Sequence, residues 1–323
     1  MYKCRICGNQ SANEEFVAKE MRLGFREPFP YFQCSQCECL QIADFPSDLG
    51  RYYPGDYYSY ANPEPDDPPN ALSRQLRTLR LRHYVGDGSL AGSLLVKLFG
   101  EPDLPGPMGR LRVSADARIL DFGCGSGRLL CRLSQKGYKH LFGADPFIPS
   151  DLHYKSGVEI MKVDASGVVG EFDFIMLNHS FEHLPNPLEV LKLLKDRLAN
   201  NGKMLLRIPT VSSFAWRHYR TDWVQLDAPR HLFLHSLKSV GILCEEAGLK
   251  IERVEYDSGD FQFWGSEQYR LDIPLEDERS LGKNPSSNLF SESKIQHFRR
   301  EADRLNEQND GDQVAITVSS TNA

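Results

Sequence analysis

The chain has no uninterrupted apolar run approaching the ~18 residues that span a bilayer, so an integral membrane protein is not expected. No apolar signal segment follows its start, Met1-Tyr2-Lys3-Cys4-Arg5, and a cytoplasmic location is expected. It also lacks an excess of positive charge: Lys plus Arg total 38, Asp plus Glu total 44, and the net charge is -6. A chain gripping phosphate backbones with its whole surface is thereby disfavoured. No internal repeat is visible. The 323 residues are 41% hydrophobic and 25% charged, close to the globular average, which excludes a wholly disordered or fibrous chain. That length suffices for a large core and about two domains.

The eight cysteines are unevenly spread. Cys4, Cys7, Cys34, Cys37 and Cys39 crowd the first 39 residues, while Cys124, Cys131 and Cys244 are scattered. A tyrosine-rich tract follows, Arg51 to Tyr60, and then four prolines within residues 62–69, which neither a helix nor a central strand tolerates. A linker is expected there. Residues 71–85 place Leu72, Leu76, Leu79 and Val85 near one helical face, and the apolar stretch Ser89 to Phe99 reads as a buried helix before a membrane-touching one. From residue 118 short apolar strands alternate with helical stretches: 118–122, 129–136, 139–144, 159–163, 172–177, 188–199, 203–208, 237–247 and 249–256. Continuous apolar strands in such alternation predict a parallel sheet covered on both faces, an α/β doubly wound fold. The polar stretch 275–291 leads to a charged helix (292–309) and a final strand (314–318).

The strongest signal in this body is Asp121-Phe-Gly123-Cys-Gly125-Ser-Gly127-Arg128. A buried strand ends on an acid, glycines make the turn, and a helix begins, so backbone N–H groups can approach a ligand without interference from Cβ. The spacing is G-x-G-x-G, because Arg128 stands where the dinucleotide fingerprint needs glycine. Asp145 ends the next apolar strand about 20 residues on, where a carboxylate suits a ribose diol. Asp164 follows the strand after that.

At the N-terminus, Cys4-x2-Cys7 and Cys34-x2-Cys37 are separated by 26 residues. Paired C-x2-C thiolates reach one tetrahedral Zn2+ from tight turns. A closed four-thiolate site has no open coordination position, so its expected role is structural. Disulfides or free thiols are the alternatives, and Cys39 is left over.

The set Asp121, Gly123, Gly125, Gly127, Asp145 and Asp164 resembles the nucleoside-binding motif of class I S-adenosylmethionine-dependent methyltransferases, over residues 118–210. The resemblance implies a Rossmann-like seven-stranded sheet with the last strand, about 313–319, inserted antiparallel. It also implies S-adenosylmethionine held by those residues together with Asn178. The loop glycines would pass the methionine part, Asp145 the ribose and Asp164 the adenine. A zinc module leading through tyrosines into this core resembles sugar C-methyltransferases and methyltransferases of bacterial polysaccharide biosynthesis. The expected organisation is a zinc-binding module (1–60), a linker and helix (61–110), and a methyltransferase domain (111–323) with an acceptor-binding insertion at about 257–310.

Methyl transfer from a sulfonium needs the acceptor positioned and deprotonated, and histidine suits the second task. His183, in Asn178-His179-Ser-Phe-Glu182-His183, aligns with an active-site histidine of the sugar C-methyltransferases. Quinone O-methyltransferases carry E-x-x-E-H here for Mg2+; His179 replaces the first carboxylate, so no catalytic metal is expected. In the sugar C-methyltransferases the matching tract is H-E-H, whose last histidine is the general base, and the resemblance places His231 on that position. Arg230 replaces the glutamate, and Asp227 is a nearby carboxylate. The guanidinium is expected either to disfavour a protonated His231 or to contact a diphosphate. Of Tyr57, Tyr58 and Tyr60, Tyr58 is taken as the active-site tyrosine, and residues 260–269 as an acceptor wall.

The sequence therefore predicts a methyltransferase acting on a small acceptor, a nucleotide-linked sugar or glycan precursor. The competing readings are an RNA methyltransferase with the zinc module as reader and a non-catalytic binding module of the same fold. Residues 1–60 hold six basic and eight acidic side chains, the wrong sign for RNA.

Overall fold

The computed structural model describes residues 2–53 and 70–321. The Pro-rich linker at 62–69 and Tyr57, Tyr58 and Tyr60 lie outside the described residues.

The chain opens with three strands, β1 (Glu14–Lys19), β2 (Pro28–Gln33) and β3 (Leu40–Ile42). Helices α1 (Ala71–Val85) and α2 (Leu90–Phe99) form a hairpin, followed by the single turn α3 (Met108–Leu111). The alternating part comprises β4 (Arg118–Phe122), α4 (Arg128–Lys136), β5 (His140–Ala144), β6 (Leu152–His153), β7 (Glu159–Met161), β8 (Phe172–Asn178), α5 (Pro187–Lys195) and β9 (Leu198–Pro209). Then come α6 (Phe214–Tyr219), β10 (Phe233–Leu234), α7 (Leu237–Ala247), β11 (Leu249–Tyr256), α8 (Phe261–Arg270), α9 (Glu292–Glu307) and β12 (Gln313–Ser320).

The large sheet runs β11-β12-β9-β8-β4-β5-β7-β6. Its four central pairings from β9 to β7 are all parallel, and β12 enters antiparallel between β9 and β11. Seven of these strands make up the expected sheet, with the last in sequence inserted antiparallel. The eighth, β6, is a two-residue edge strand paired antiparallel to β7, standing where a crossover helix would otherwise fall.

Alternation along each strand divides the side chains between two cores. Ile119, Phe174, Met176, Leu205 and Ala315 face a core shared with Leu81, Leu130 and Leu133 of α1 and α4. Leu120, Ile175, Leu177, Leu206 and Ile316 face the other, against Leu191 and Leu194 of α5 and Leu243 of α7. Strands apolar on both faces read as continuous apolar runs, which is why they were visible in the sequence.

The cysteine-bearing strands form a second sheet, β1-β2-β3-β10, whose last strand comes from the methyltransferase part: Phe233 pairs with Gln41 and Leu234 with Leu40. Tyr31, Phe32 and Ile42 share one core with Trp216, Trp223, Phe233 and Phe298, so residues 2–53 do not close a core by themselves.

Three local expectations change. On α1 the inward residues are Thr78, Leu81 and Val85, while Leu72 and Leu76 are exposed. Helix α2 is not buried: Leu90, Leu94, Leu98 and Phe99 face outward. The 260–269 stretch is helix α8, with Gln262, Phe263, Ser266 and Tyr269 buried against the turn at 224–226, so it backs the site rather than forming an open wall.

Candidate active site

At the tip of β4 the chain turns through Gly123, Gly125 and Gly127, all with positive φ (76°, 54° and 77°), before α4 begins. A Cβ on Gly123 would stand 2.4 Å from the Cβ of Ser180, whose hydroxyl donates to the Phe122 carbonyl at 2.7 Å. Both the backbone conformation and the contact therefore require glycine there. Gly123→Ala is expected to destabilise the fold by about 1–3 kcal/mol, read as a fall in the thermal midpoint, because Ser180 must leave that carbonyl.

Asp145 braces the loop. One carboxylate oxygen accepts from Gly125 N and the other from Phe147 N, each at 2.8 Å, leaving its remaining lone pairs for a ligand. Asp121 is buried, and burial, aided by the nearby Asp145 charge, pushes its carboxyl up to about 8. Asp121, Gly123, Asn178 and His179 line one cavity of about 430 Å³, with Arg128 and Met108 at its walls. That size lies in the range of small-molecule sites, about 300–1,000 Å³. Asp164 is exposed and is not among the lining residues; its Oδ1 accepts from Ser166 N, Ser166 Oγ and Gly167 N, so one oxygen is engaged in capping a turn.

The histidines meet behind this cavity. His231 donates Nδ1–H to the Gln225 carbonyl at 2.7 Å, and His183 donates Nδ1–H to the Arg230 carbonyl at 2.9 Å. A carbonyl only accepts, so both rings carry a hydrogen on Nδ1, which in the neutral form leaves the lone pair on Nε2. Their centroids are 4.7 Å apart. Burial, and next the neighbouring His183, lower His231 to about 4, against the opposing pull of Asp227 and Glu182. It is a neutral base at neutral pH. Once Nε2 takes a proton, Asp227 at 3.7 Å and Glu182 at 3.9 Å are placed to stabilise the imidazolium.

Glu182 was quoted in the sequence only as part of a motif, yet it is the centre of this cluster. It is fully buried, and neither carboxylate oxygen has a hydrogen-bond partner; His179 Nδ1 lies 3.5 Å from one of them. Burial alone would raise its carboxyl, but the three surrounding imidazoles outweigh that and hold it down at about 2. His179 Nε2 accepts from Arg207 at 3.0 Å, and Arg207 also donates to Asp257 at 2.8 Å and to Asn178 at 3.3 Å. The cavity wall and the histidine cluster are thus joined through His179 and Glu182.

Arg230 departs from both roles expected of it. Its guanidinium is fully buried, paired with Asp227 and donating to the Tyr52 carbonyl at 3.1 Å, so it does not face a diphosphate. Nor does it lower His231; burial and His183 do. Tyr53, from the tyrosine-rich tract, places its hydroxyl 3.1 Å from His183 Nδ1.

The four cysteines converge. Cys4 and Cys37 sulfurs are 3.5 Å apart, as are Cys7 and Cys34, and all four lie within 4.8 Å of one another. Such separations exclude disulfides and fit the ~3.8 Å edges of a tetrahedron with ~2.3 Å metal–sulfur bonds. Ile6 and Cys7 amides point to Cys4 Sγ, and Gln36 and Cys37 amides to Cys34 Sγ, the arrangement of two knuckles. Cys39 is buried outside this group. The module reaches the site directly: Tyr31 Oη donates to the His231 carbonyl at 2.9 Å, and Ser236 Oγ to the Cys37 carbonyl at 2.5 Å.

A parallel sheet with an antiparallel penultimate position, a glycine turn at its first strand and acids at the strand tips define a methyltransferase architecture. The family described as Methyltransferase domain matches residues 88–254, more than half of the chain, and the chain belongs to it. It is an S-adenosylmethionine-dependent methyltransferase. The family match begins at residue 88, ahead of the boundary at 111 read from the sequence. A tRNA U34 carboxymethyltransferase of Campylobacter hominis is 34% identical over 99 residues, 28% of this chain and 35% of that enzyme, so the chain spans about a third of the curated relative it matches. Among solved structures, an S-adenosylmethionine-dependent methyltransferase of Thermotoga maritima, described as a possible histamine N-methyltransferase, has 16% identity and a TM-score of 0.37, covering 77% of this chain and 91% of its own. One of Archaeoglobus fulgidus has 19% identity and a TM-score of 0.37, covering 76% and 94%.

Proposed function

We propose that the protein transfers the methyl group of S-adenosylmethionine to a nucleotide-linked sugar or glycan precursor, with a histidine as general base. The observation that carries this reading is the His183–His231 pair. Both rings present an Nε2 lone pair, beside buried carboxylates that favour the protonated product.

S-adenosylmethionine supplies, when bound, a methyl group already activated on a sulfonium. Asp121, Gly123, Gly125, Gly127, Asp145, Asp164 and Asn178 would hold it. His231 would take the acceptor's proton, His183 would orient the acceptor, and Tyr58 would complete the acceptor side. Zn2+ would be held by Cys4, Cys7, Cys34 and Cys37 in a structural role, fixing the strand that carries His231.

The test is methyl-label transfer into fractionated extract of the source cells. Label in the small, anionic, nucleotide-linked fraction is expected. Label in a nuclease-sensitive polymer overturns the sugar reading for RNA, which the short similarity to a tRNA-modifying enzyme favours. The net charge of -2 over residues 1–60 argues against RNA affinity there. No label in any fraction, with donor binding intact, would point to the non-catalytic reading.

Asp121 gives donor binding a pH signature. Burial pushes its carboxyl up to about 8, so at lower pH a proton must leave before the carboxylate can face a cationic ligand. Affinity for S-adenosylmethionine by calorimetry is expected to weaken about tenfold per unit as pH falls below 8 and to level off above it. Asp121→Asn should flatten that dependence; an unchanged slope in the variant would contradict the assignment.

A further inference from the structure

We propose that the α1–α2 hairpin is a docking surface for an anionic lipid bilayer, lying along the interface rather than crossing it. Among the described residues no helix is long and apolar enough to cross. Yet six of the fourteen large hydrophobic side chains exposed among them fall between residues 72 and 99. Leu90 is 93% exposed, Leu94 58% and Leu98 66%, with Phe99 at 65% beside them. Positions 90, 94 and 98 form one i, i+4 stripe. Gly92 lies on the opposite side of the helix, where a Cβ would stand 2.5 Å from the Leu79 carbonyl and 2.7 Å from His83 Cβ. Helix α2 therefore packs on α1 through its glycine face and turns its leucines away from the protein. Leu72 and Leu76 of α1 are also exposed.

Charge selects the occupant. Residues 70–100 hold Arg74, Arg77, Arg80, Arg82 and Lys97 against the single acid Asp87, five against one, in a chain of net charge -6. Only Arg82 has a carboxylate partner among the described residues, Asp116 at 2.5 Å. Arg77 donates to the Gln135 carbonyl and Arg80 to the carbonyls of Gly100 and Glu101, contacts that position the cations without neutralising them. An isologous contact with a second copy would set these charges against themselves. Acidic head groups over an apolar interior are complementary to both features, leucine stripe and cations together. The hairpin also leads through Pro105–Met108 to the wall of the donor cavity, so a bilayer under α2 would lie near the site.

The experiment is flotation of the full-length zinc-loaded protein with vesicles of phosphatidylcholine alone or mixed with phosphatidylglycerol. Binding to the mixed vesicles is expected at low salt, weaker by about tenfold or more on phosphatidylcholine alone or at high salt, since the cations are attracted to acidic head groups and salt screens them. The double variant Leu94→Glu/Leu98→Glu, at exposed positions, should lose binding while keeping its thermal midpoint and its affinity for S-adenosylmethionine. Equal binding to both vesicles, or binding to neither, overturns the proposal. So does a concentration-dependent dimer dispersed by the double variant, which would make a second copy the occupant.

Discussion

His231→Asn should lower kcat by about 10²–10⁴-fold, the usual contribution of a positioned general base. Affinity for S-adenosylmethionine should be retained, because His231 is not among the residues lining the donor cavity. With His231 lowered to about 4, the neutral, proton-accepting form persists down to acid pH, so the acid limb of kcat, read with S-adenosylmethionine saturating, should fall well below the ordinary histidine range. Activity is present above that limb and lost as pH drops through it.

Glu182 is a positioning residue for the same proton. Its charge raises His231, so Glu182→Gln should move the acid limb lower still, a shift that loss of packing alone would not produce. An acid limb near 6.5 in the wild-type enzyme, or an unaltered limb in Glu182→Gln, would contradict this arrangement. Full activity of His231→Asn would leave His183 as the remaining candidate base.

The second large effect is expected on removal of the zinc that we propose the four thiolates hold. Structural four-thiolate sites contribute about 10–16 kcal/mol of apparent binding free energy in small domains, and that energy is folding energy. Here the cysteine sheet shares its core with Trp216, Trp223 and Phe233, and Tyr31 bonds the backbone of His231. Stripping the metal, or Cys34→Ser, should therefore lower the thermal midpoint sharply and abolish methyl transfer together. Cys39→Ser should retain one zinc per chain, since Cys39 stands outside the four-sulfur group. Metal analysis with scanning calorimetry checks both. A zinc-free protein with an unchanged midpoint and rate would remove the module from any positioning role.

Legibility in the sequence followed the range of the interactions. The strands β4, β5, β8, β9 and β12 were visible because burial on both faces writes continuous apolar runs into the chain. Helix α7 was visible at both ends, since Ser236 caps its first turn and Gly248 takes the left-handed position after its last. The glycine turn was visible because positive φ and close approach demand that residue type locally. Helix α2 was misjudged: an apolar stretch announces a helix but not what covers it, and here its leucine stripe stays exposed.

The histidine cluster marks the other limit. His183 and Glu182 sit on the turn after β8, His231 on a segment about fifty residues later, and Tyr31 on the cysteine sheet. Nothing in their spacing reveals that they meet. Arg230 illustrates the consequence: beside His231 in sequence, it reads as the group tuning that ring, whereas folding turns it inward onto Asp227 and brings Glu182 and His183 to the ring instead.

By itself, then, the sequence determined the main strands and helices of the large sheet, the glycine turn and the two cysteine knuckles, because each depends on backbone conformation and burial within a short segment. The tertiary structure alone decided which carboxylates face His231, that the cysteine sheet completes its core with β10, and that helix α2 keeps its leucine stripe outward. Those outcomes depend on charge and packing between segments far apart in the chain, and proximity of that kind exists only once the chain is folded.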